Sequence, residues 1–345
     1  MSPSKQQRLL DVISGRTRGI RAMLLRGALR TVEPLYAGAM TVRNALFDEG
    51  WKRARPLGRP AVSVGNLTTG GTGKTPIVAW LARSLVQSGR RPVILLRGYK
   101  SSDAGSDEAI ELRSRVGPDI PVIPNPDRIA GAQEALGVNS AIDCFILDDG
   151  FQHRRAQRQV DLVLIDATCP FGFGHVLPRG LLREPITGLR RASAVILTRC
   201  ELVDENALQA IESRVREIAP QVLIARCETR ATSLSDGRSL EALRDTPVVA
   251  FCGIGNPEAF RSTLLRAGLT IAHFQSFDDH HAYTPAEIES LHARADGRPL
   301  ITTMKDLARL PASLGAIGLE IEPTFSDTDA QALLGIVRSG IERIK

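Results

Sequence analysis

Gly70, Gly71 and Gly73 stand immediately before Lys74 and Thr75 in the run V-S-V-G-N-L-T-T-G-G-T-G-K-T-P at residues 62–76. Glycines in such a turn let successive backbone N–H groups face an anion, and a helix beginning near Lys74 adds its positive end. The lysine reaches β- and γ-phosphate oxygens, while the next hydroxyl ligates Mg²⁺. Thr68, Thr69, Gly70, Gly71, Thr72, Gly73, Lys74 and Thr75 are therefore the candidate nucleotide cradle, with Thr75 also a metal ligand. The first glycine of the usual G-x-x-x-x-G-K-[ST] pattern is replaced by Thr68.

A second group of residues suits the same chemistry. C-F-I-L-D-D at residues 144–149 is an apolar strand ending in two carboxylates, the arrangement that aims an aspartate at the Mg²⁺ of a phosphate loop. Asp148 and Asp149 are both candidate metal residues, Asp148 by its place at the strand end and Asp149 for a metal-bound water or a substrate group. Gln152 and His153 follow in F-Q-H-R-R, and Arg183-Glu184 closes P-R-G-L-L-R-E-P. Arginine's planar fork matches two phosphate oxygens. Asp107-Glu108 and Asp279-His280-His281 supply a carboxylate and imidazoles suited to removing a proton from an acceptor hydroxyl. The two adjacent histidines lack a third ligand at metal-binding spacing.

The elements that must position these residues are legible as short apolar runs. Strands are expected at 60–64, 93–96, 144–147, 162–165 and 194–197, alternating with helical patterns such as 77–86. Continuous apolar strands between helices predict a parallel sheet covered on both faces. Ligands then sit at the carboxyl ends of the strands, beside Arg97-Gly98-Tyr99, Asp148-Asp149-Gly150, Asp166-Ala167 and Thr198-Arg199. A second unit is expected after 222–225, with strands at 248–253, 270–274 and 300–303 and helices at 257–267 and 285–295. The stretch 101–107 reads as a mobile loop.

At 345 residues, 43% hydrophobic and 24% charged, the chain suits two globular domains and excludes wholesale disorder. Its five cysteines form no C-x-x-C pair, which fits a reducing cytosol without zinc or disulfides. The formal net charge of +6 is carried entirely by residues 1–43, where Lys5, Arg8, Arg16, Arg18, Arg21, Arg26, Arg30 and Arg43 oppose Asp11 and Glu33. This segment is helix-prone, yet its longest uncharged stretch, 34–42, is too short to span a bilayer. It reads as a helix on an anionic membrane surface, a helix packed on the body, or a nucleic-acid arm; no aromatic-basic interleaving supports the last.

Two details narrow the class. The G-G-T-G-K-T core resembles that of the partitioning and metal-insertion ATPases, but Thr69 stands where those have a lysine. The run V-I-L-T-R-C-E echoes a guanine-reading T-K-x-D, with Arg199 and Glu201 in place of its Lys and Asp.

Taken together, the motifs resemble the tetraacyldisaccharide 4′-kinase family of lipid A synthesis. The resemblance runs from about Leu35 to Leu310 through G-N-L-T-T-G-G-T-G-K-T-P, R-G-Y, S-D-E, L-D-D-G-F-Q-H, D-A-T-C-P-F-G-F-G, L-P-R-G-L-L-R-E-P, G-I-G-N-P, D-H-H-A-Y and T-T-M-K-D. It implies transfer of the γ-phosphate of ATP, with Mg²⁺, to the 4′-hydroxyl of a membrane-embedded acylated disaccharide. Asp107 is then the base, His280 its partner and Lys74 the catalytic phosphate ligand, while Arg97, Tyr99, Glu108, Gln152, His153, Arg183 and Glu184 line the site. Met304 replaces the usual glutamate of T-T-E-K-D, leaving open what this loop and its Lys305 do, and Ser106 stands where glycine is usual.

The fold class expected is α/β: a P-loop NTPase-type, doubly wound, mostly parallel sheet, a second, smaller α/β domain and an N-terminal basic helix. Its divisions are residues 1–45 (membrane-surface helix), 46–228 (nucleotide domain), 229–325 (smaller domain) and 326–345 (C-terminal helix). The expected state is a monomer without nucleic acid, attached peripherally to the cytoplasmic face of the bacterial inner membrane. A regulatory or metallochaperone-type NTPase acting on a protein is the rival of another class, and a soluble metabolite kinase the third reading.

Overall fold

The computed structural model describes residues 5–98, 107–279 and 281–342; the side chains of residues 5–7 and 107 are outside that description. Tyr99, Ser106 and His280 therefore lie outside the described residues.

The apolar runs form the expected strands. In the first half these are β1 (Ala61–Asn66), β2 (Pro92–Leu96), β3 (Val122–Pro124), β4 (Cys144–Asp148), β5 (Val160–Asp166) and β6 (Ala194–Thr198). They are parallel, in the order β3-β2-β4-β1-β5-β6. Every residue of β1, β2, β4 and β6 is buried, as strands covered on both faces require. The order places β1 between β4 and β5, so the loop that follows it lies beside the carboxylates ending β4. Val64 of β1 pairs in register with Asp148.

The remaining strands are β7 (Leu223–Leu234), β8 (Val248–Cys252), β9 (Ile271–Ser276), β10 (Leu300–Thr303) and β11 (Ile317–Phe325). β7 runs parallel to β6 through Arg226, then antiparallel to β11 from Cys227 onward. One eleven-stranded sheet thus continues through both halves, ending β7-β11-β10-β8-β9. The division expected near residue 228 falls inside β7, where the pairing changes direction while the strand continues.

The helices are α1 (Lys5–Ile13), α2 (Ile20–Asp48), α3 (Lys74–Gln87), α4 (Asp107–Val116), α5 (Arg128–Val138), α6 (Glu205–Ile218), α7 (Pro257–Arg266), α8 (Pro285–Ala295), α9 (Met304–Leu307) and α10 (Asp327–Glu342). Local capping explains several starts. Asp127, Asp204 and Asn256 accept backbone N–H groups at the starts of α5, α6 and α7, and Thr284 with Glu287 forms a capping box on α8. α10 returns to the first half, where Leu333, Val337 and Ile341 join the core of α3 and β1.

α2 has 29 residues and two distinct faces. At 3.6 residues per turn, Ile20, Leu24, Thr31, Leu35 and Val42 share one stripe. Leu35 is 75% exposed and Ile20 72%. On the opposite face Tyr36 and Ala37 pack against the core beneath β5 and β6, and Glu33 accepts from the Val176 backbone and pairs with His175 Nδ1, each at 3.0 Å. Arg21 and Arg30 are exposed beside this stripe, whereas Arg26 donates to the Val12 and Thr17 carbonyls and Arg43 turns toward the body to donate to the Gln152 carbonyl.

Candidate active site

The phosphate loop is held open by its neighbours. Gly73, with φ of 77°, takes the left-handed conformation that starts α3, a place suited to glycine. Thr198 Oγ1 donates to the Thr72 carbonyl at 3.0 Å, and Arg199 Nη2 to the Gly71 carbonyl at 2.7 Å. Arg199 also pairs with Asp166 at the end of β5. With these carbonyls occupied, the loop N–H groups are left to meet an anion. Thr68 and Thr69 do a different job at the backbone: Thr68 bridges Leu182, and the Thr69 N–H donates to the Leu181 carbonyl at 2.7 Å. Thr68 is buried, so its side chain belongs to this seam, whereas Thr69 lines the cleft.

Lys74 Nζ donates to Asn66 Oδ1 at 3.0 Å and lies 3.4 Å from Asp149 Oδ1. Arg183 Nη1 donates to Asp149 Oδ1 and Oδ2 at 3.0 and 2.8 Å. Burial would raise the Asp149 pKa, but Lys74 and Arg183 outweigh it and hold the carboxylate below its ordinary range. Asp149 reaches this position through a left-handed backbone, φ 53°. The turn packs closely on β1: a Cβ on Gly65 would lie 2.6 Å from Phe151 Cβ, so a side chain there would push the two carboxylates out of place.

Asp148 is buried, and its pKa is pushed up to about 6, chiefly by desolvation, with Lys74 opposing. Asp148 Oδ1 and Thr72 Oγ1 are buried without a hydrogen-bond partner among the described residues. An orphaned carboxylate oxygen and the Thr75 hydroxyl in one cleft are the hard oxygen donors that Mg²⁺ takes, so the residues present fit that ion.

The cleft encloses about 1010 Å³ and is lined from both halves of the sheet. The phosphate loop, Asp148, Asp149 and Arg183 face Gly255, Asn256, Asp279 and Thr303 to Lys305. Arg97, Glu108, Gln152 and His153 also line it. Burial, followed by Arg128 and Arg158, lowers the His153 pKa and favours the neutral imidazole.

Glu184 departs from the expectation. It is fully buried beneath the cleft, where its carboxylate accepts from Asn44, Gln152 and Arg191. Tyr99, His280 and the Asp107 side chain lie outside the described residues, although α4 begins at Asp107. His281 Nε2 meets Glu287 Oε2 at 3.0 Å, and its ring stacks on Phe277 at 4.8 Å.

Sequence reasoning did not find several site residues. Tyr36, Met40 and Arg43 of α2 line the cleft, with no local motif to announce them. Asn66 is visible in G-N-L-T-T only once its bond to Lys74 is known. Arg128, buried at the start of α5, donates to the Asp148 carbonyl at 3.1 Å; the N-P-D-R helix start is its one sequence signal. Lys305, left without a role by the sequence, reaches to 3.7 Å from the buried Glu111 Oε2 on α4.

A phosphate loop between β1 and α3, with carboxylates at the end of the adjacent parallel strand, defines the P-loop NTPase class of α/β proteins. The tetraacyldisaccharide-1-P 4′-kinase family matches this sequence over residues 25–337. Relatives named tetraacyldisaccharide 4′-kinase include those of Anaeromyxobacter sp. (strain K), 38% identical over 84% of this chain and 82% of the relative, and Geobacter sulfurreducens, 38% identical over 88% and 90%. Among solved structures, the "apo" form of LpxK from Aquifex aeolicus in complex with ATP superposes with a TM-score of 0.71 at 29% identity, covering 92% of this chain and 99% of that one. The chain belongs to the tetraacyldisaccharide-1-P 4′-kinase family.

Proposed function

We propose that this chain transfers the γ-phosphate of ATP to the 4′-hydroxyl of a tetraacylated glucosamine disaccharide 1-phosphate, a step of lipid A synthesis. The observation that carries the reading is Lys74 and Arg183 converging on Asp149 at the mouth of the phosphate loop, in a chain of this kinase family. Two fixed cations at one carboxylate suit a reaction whose charge gathers on transferring phosphoryl oxygens.

The loop N–H groups and Lys74 bind the polyphosphate. Arg183 orients Asp149 and lies where it can meet the γ-phosphoryl oxygens. Thr75, Asp148 and Asp149 would hold Mg²⁺, which when bound neutralises phosphate charge. Asp107 takes the acceptor proton with His280 as its partner, and Gln152, His153, Arg97, Tyr99 and Glu108 shape the acceptor side. Closing the two halves of the sheet over the cleft would exclude water.

The acceptor is held in a membrane, and α2 is suited to meet it there. Its apolar stripe faces away from the body, and the exposed Arg21 and Arg30 of α2 with Arg8 of α1 attract an anionic surface at about 1 kcal/mol each. No helix among the described residues is long and apolar enough to cross a membrane, which fits peripheral attachment, at the cytoplasmic face of the inner membrane. Family membership weighs against the regulatory NTPase reading.

Purified protein with Mg-ATP and the acylated disaccharide 1-phosphate in detergent should yield a product heavier by one phosphate, seen by mass spectrometry. ADP release with no such product would overturn the assignment.

A further inference from the structure

Asn44 lies on the body-facing side of α2, and its Nδ2 donates to Glu184 Oε2 at 2.7 Å. The same fully buried carboxylate accepts from Arg191 Nη2 at 3.0 and 2.9 Å and from Gln152 Nε2 at 3.0 Å. Gln152 in turn donates to the Asn66 carbonyl at 3.0 Å and accepts from Arg183 Nη1 at 3.4 Å. Two more residues of α2 hold the same structure by its backbone. Tyr36 Oη donates to the Arg183 carbonyl at 2.8 Å, and Arg43 Nη2 to the Gln152 carbonyl at 2.6 Å. A continuous hydrogen-bonded path therefore joins α2 to Asn66, which holds Lys74, and to Arg183, which holds Asp149.

We propose that Asn44 is a positioning residue: by bonding the buried Glu184 carboxylate from the helix side, it sets Gln152 and Arg183 for phosphoryl transfer. α2 would then belong to the active-site frame through one face and to the membrane through the other. The physical reason is the cost of a buried, incompletely bonded carboxylate. Without the Asn44 amide, Glu184 keeps Arg191 and must recover its missing donor by moving, which drags Gln152 with it. A displacement of about 1 Å in groups that align reactants is enough to slow catalysis about 100-fold. The inference rests on the reading of Lys74, Arg183 and Asp149 as the phosphoryl-transfer centre.

The test follows ADP release and disaccharide phosphorylation in parallel, with thermal melts and cosedimentation on phosphatidylglycerol vesicles. Asn44→Ala should lower kcat by about 10-fold to 100-fold, with little change in KM for ATP and a wild-type vesicle-bound fraction. Asn44→Asp, placing a second negative charge beside Glu184, should lower it further. The exchange Asn44→Asp with Glu184→Gln restores one donor and one charged acceptor across the same contact, so it should recover activity relative to Asn44→Asp. A kcat within twofold of wild type for Asn44→Ala overturns the proposal, as does a loss the exchange leaves unrepaired or one matched by a rise in KM and a fall in melting temperature. Should Asn44→Ala not fold, the exchange variant decides alone: activity above that of Glu184→Gln supports the coupling, and equal or lower activity overturns it. Wild-type ADP release without a phosphorylated disaccharide would defeat the functional reading, while the comparison of ADP release among variants would still decide the role of Asn44.

Discussion

Arg183 Nη1 lies within hydrogen-bond distance of both carboxylate oxygens of Asp149, at 3.0 and 2.8 Å, and Lys74 approaches the same carboxylate from the phosphate loop at 3.4 Å. Residues 34 and 75 positions away are thus held on one group, and that group stands on a left-handed backbone at the end of β4. Asp149 is a fixed point between the two cations, and displacing any member should disturb the other two.

Arg183→Ala is expected to lower turnover by about 100-fold to 1000-fold, the usual cost of removing one donor from a site of developing negative charge. Arg183→Lys keeps the charge but loses the planar fork, so it should recover little of that loss. Steady-state rates of product formation check both, and a lysine variant near wild type would show that charge alone suffices.

Glu111 and Arg115 form a buried pair on α4, with Nε 3.1 Å from Oε1, and Arg115 also donates to the Ile321 carbonyl at 2.9 Å. Glu111→Ala leaves that guanidinium buried with its charge uncompensated, and about 3 kcal/mol of stability should be lost. Lys305 is more exposed and its contact with Glu111 is looser, so Lys305→Met should cost under about 1 kcal/mol. Urea unfolding of the two variants separates these outcomes; equal losses would contradict the ranking.

Hydrogen bonds from the Thr284 backbone, then from His281, hold the Glu287 pKa at about 2, against about 4.3 in the unfolded chain. A carboxyl with a depressed folded pKa stabilises above the unfolded value and loses that contribution as pH falls from about 4.3 toward 2. Glu287→Gln should therefore lower the melting temperature more at pH 6 than at pH 3. Because the side chain is partly exposed, the effect at pH 6 should be about 1 kcal/mol, the scale of a helix cap. The same shift at both pH values would remove the charge from the explanation.

Leu24 and Leu35 are 64% and 75% exposed on the outer stripe of α2. Burying a leucine is worth about 1.5–3 kcal/mol, so Leu24→Ser with Leu35→Ser should weaken partition onto anionic vesicles by roughly 100-fold. Added salt should weaken it further by screening the arginines. Deleting residues 1–43 would be a poorer experiment, because it also removes Tyr36 and Arg43 from the cleft. Undiminished sedimentation of the double variant with vesicles would rule out this face as the attachment surface.

Much of this molecule is readable along the chain. Continuous apolar runs of four to six residues, too short for buried helices and alternating with helical patterns, point to parallel strands covered on both faces. The phosphate loop is legible for a related reason: its glycines, Lys74 and Thr75 act through backbone groups and side chains within one turn. Asp148 and Asp149 were legible as a strand end, and the sheet order then brought them beside that loop.

What the sequence determined by itself was local: the strands, the phosphate loop, the paired carboxylates and the basic N-terminal helix, each a pattern within a few neighbouring residues. The tertiary structure decided which distant residues share a contact. It moved Glu184 from the cleft wall to a buried carboxylate held by Asn44, Gln152 and Arg191. It carried β7 through the expected division, and divided the arginines of α2 between the exposed side, with Arg21 and Arg30, and the body side, with Arg43. The physical reason is that a buried charge or an exposed stripe is defined by what surrounds it in space, and contacts made over a hundred residues apart leave no periodicity in the sequence to read.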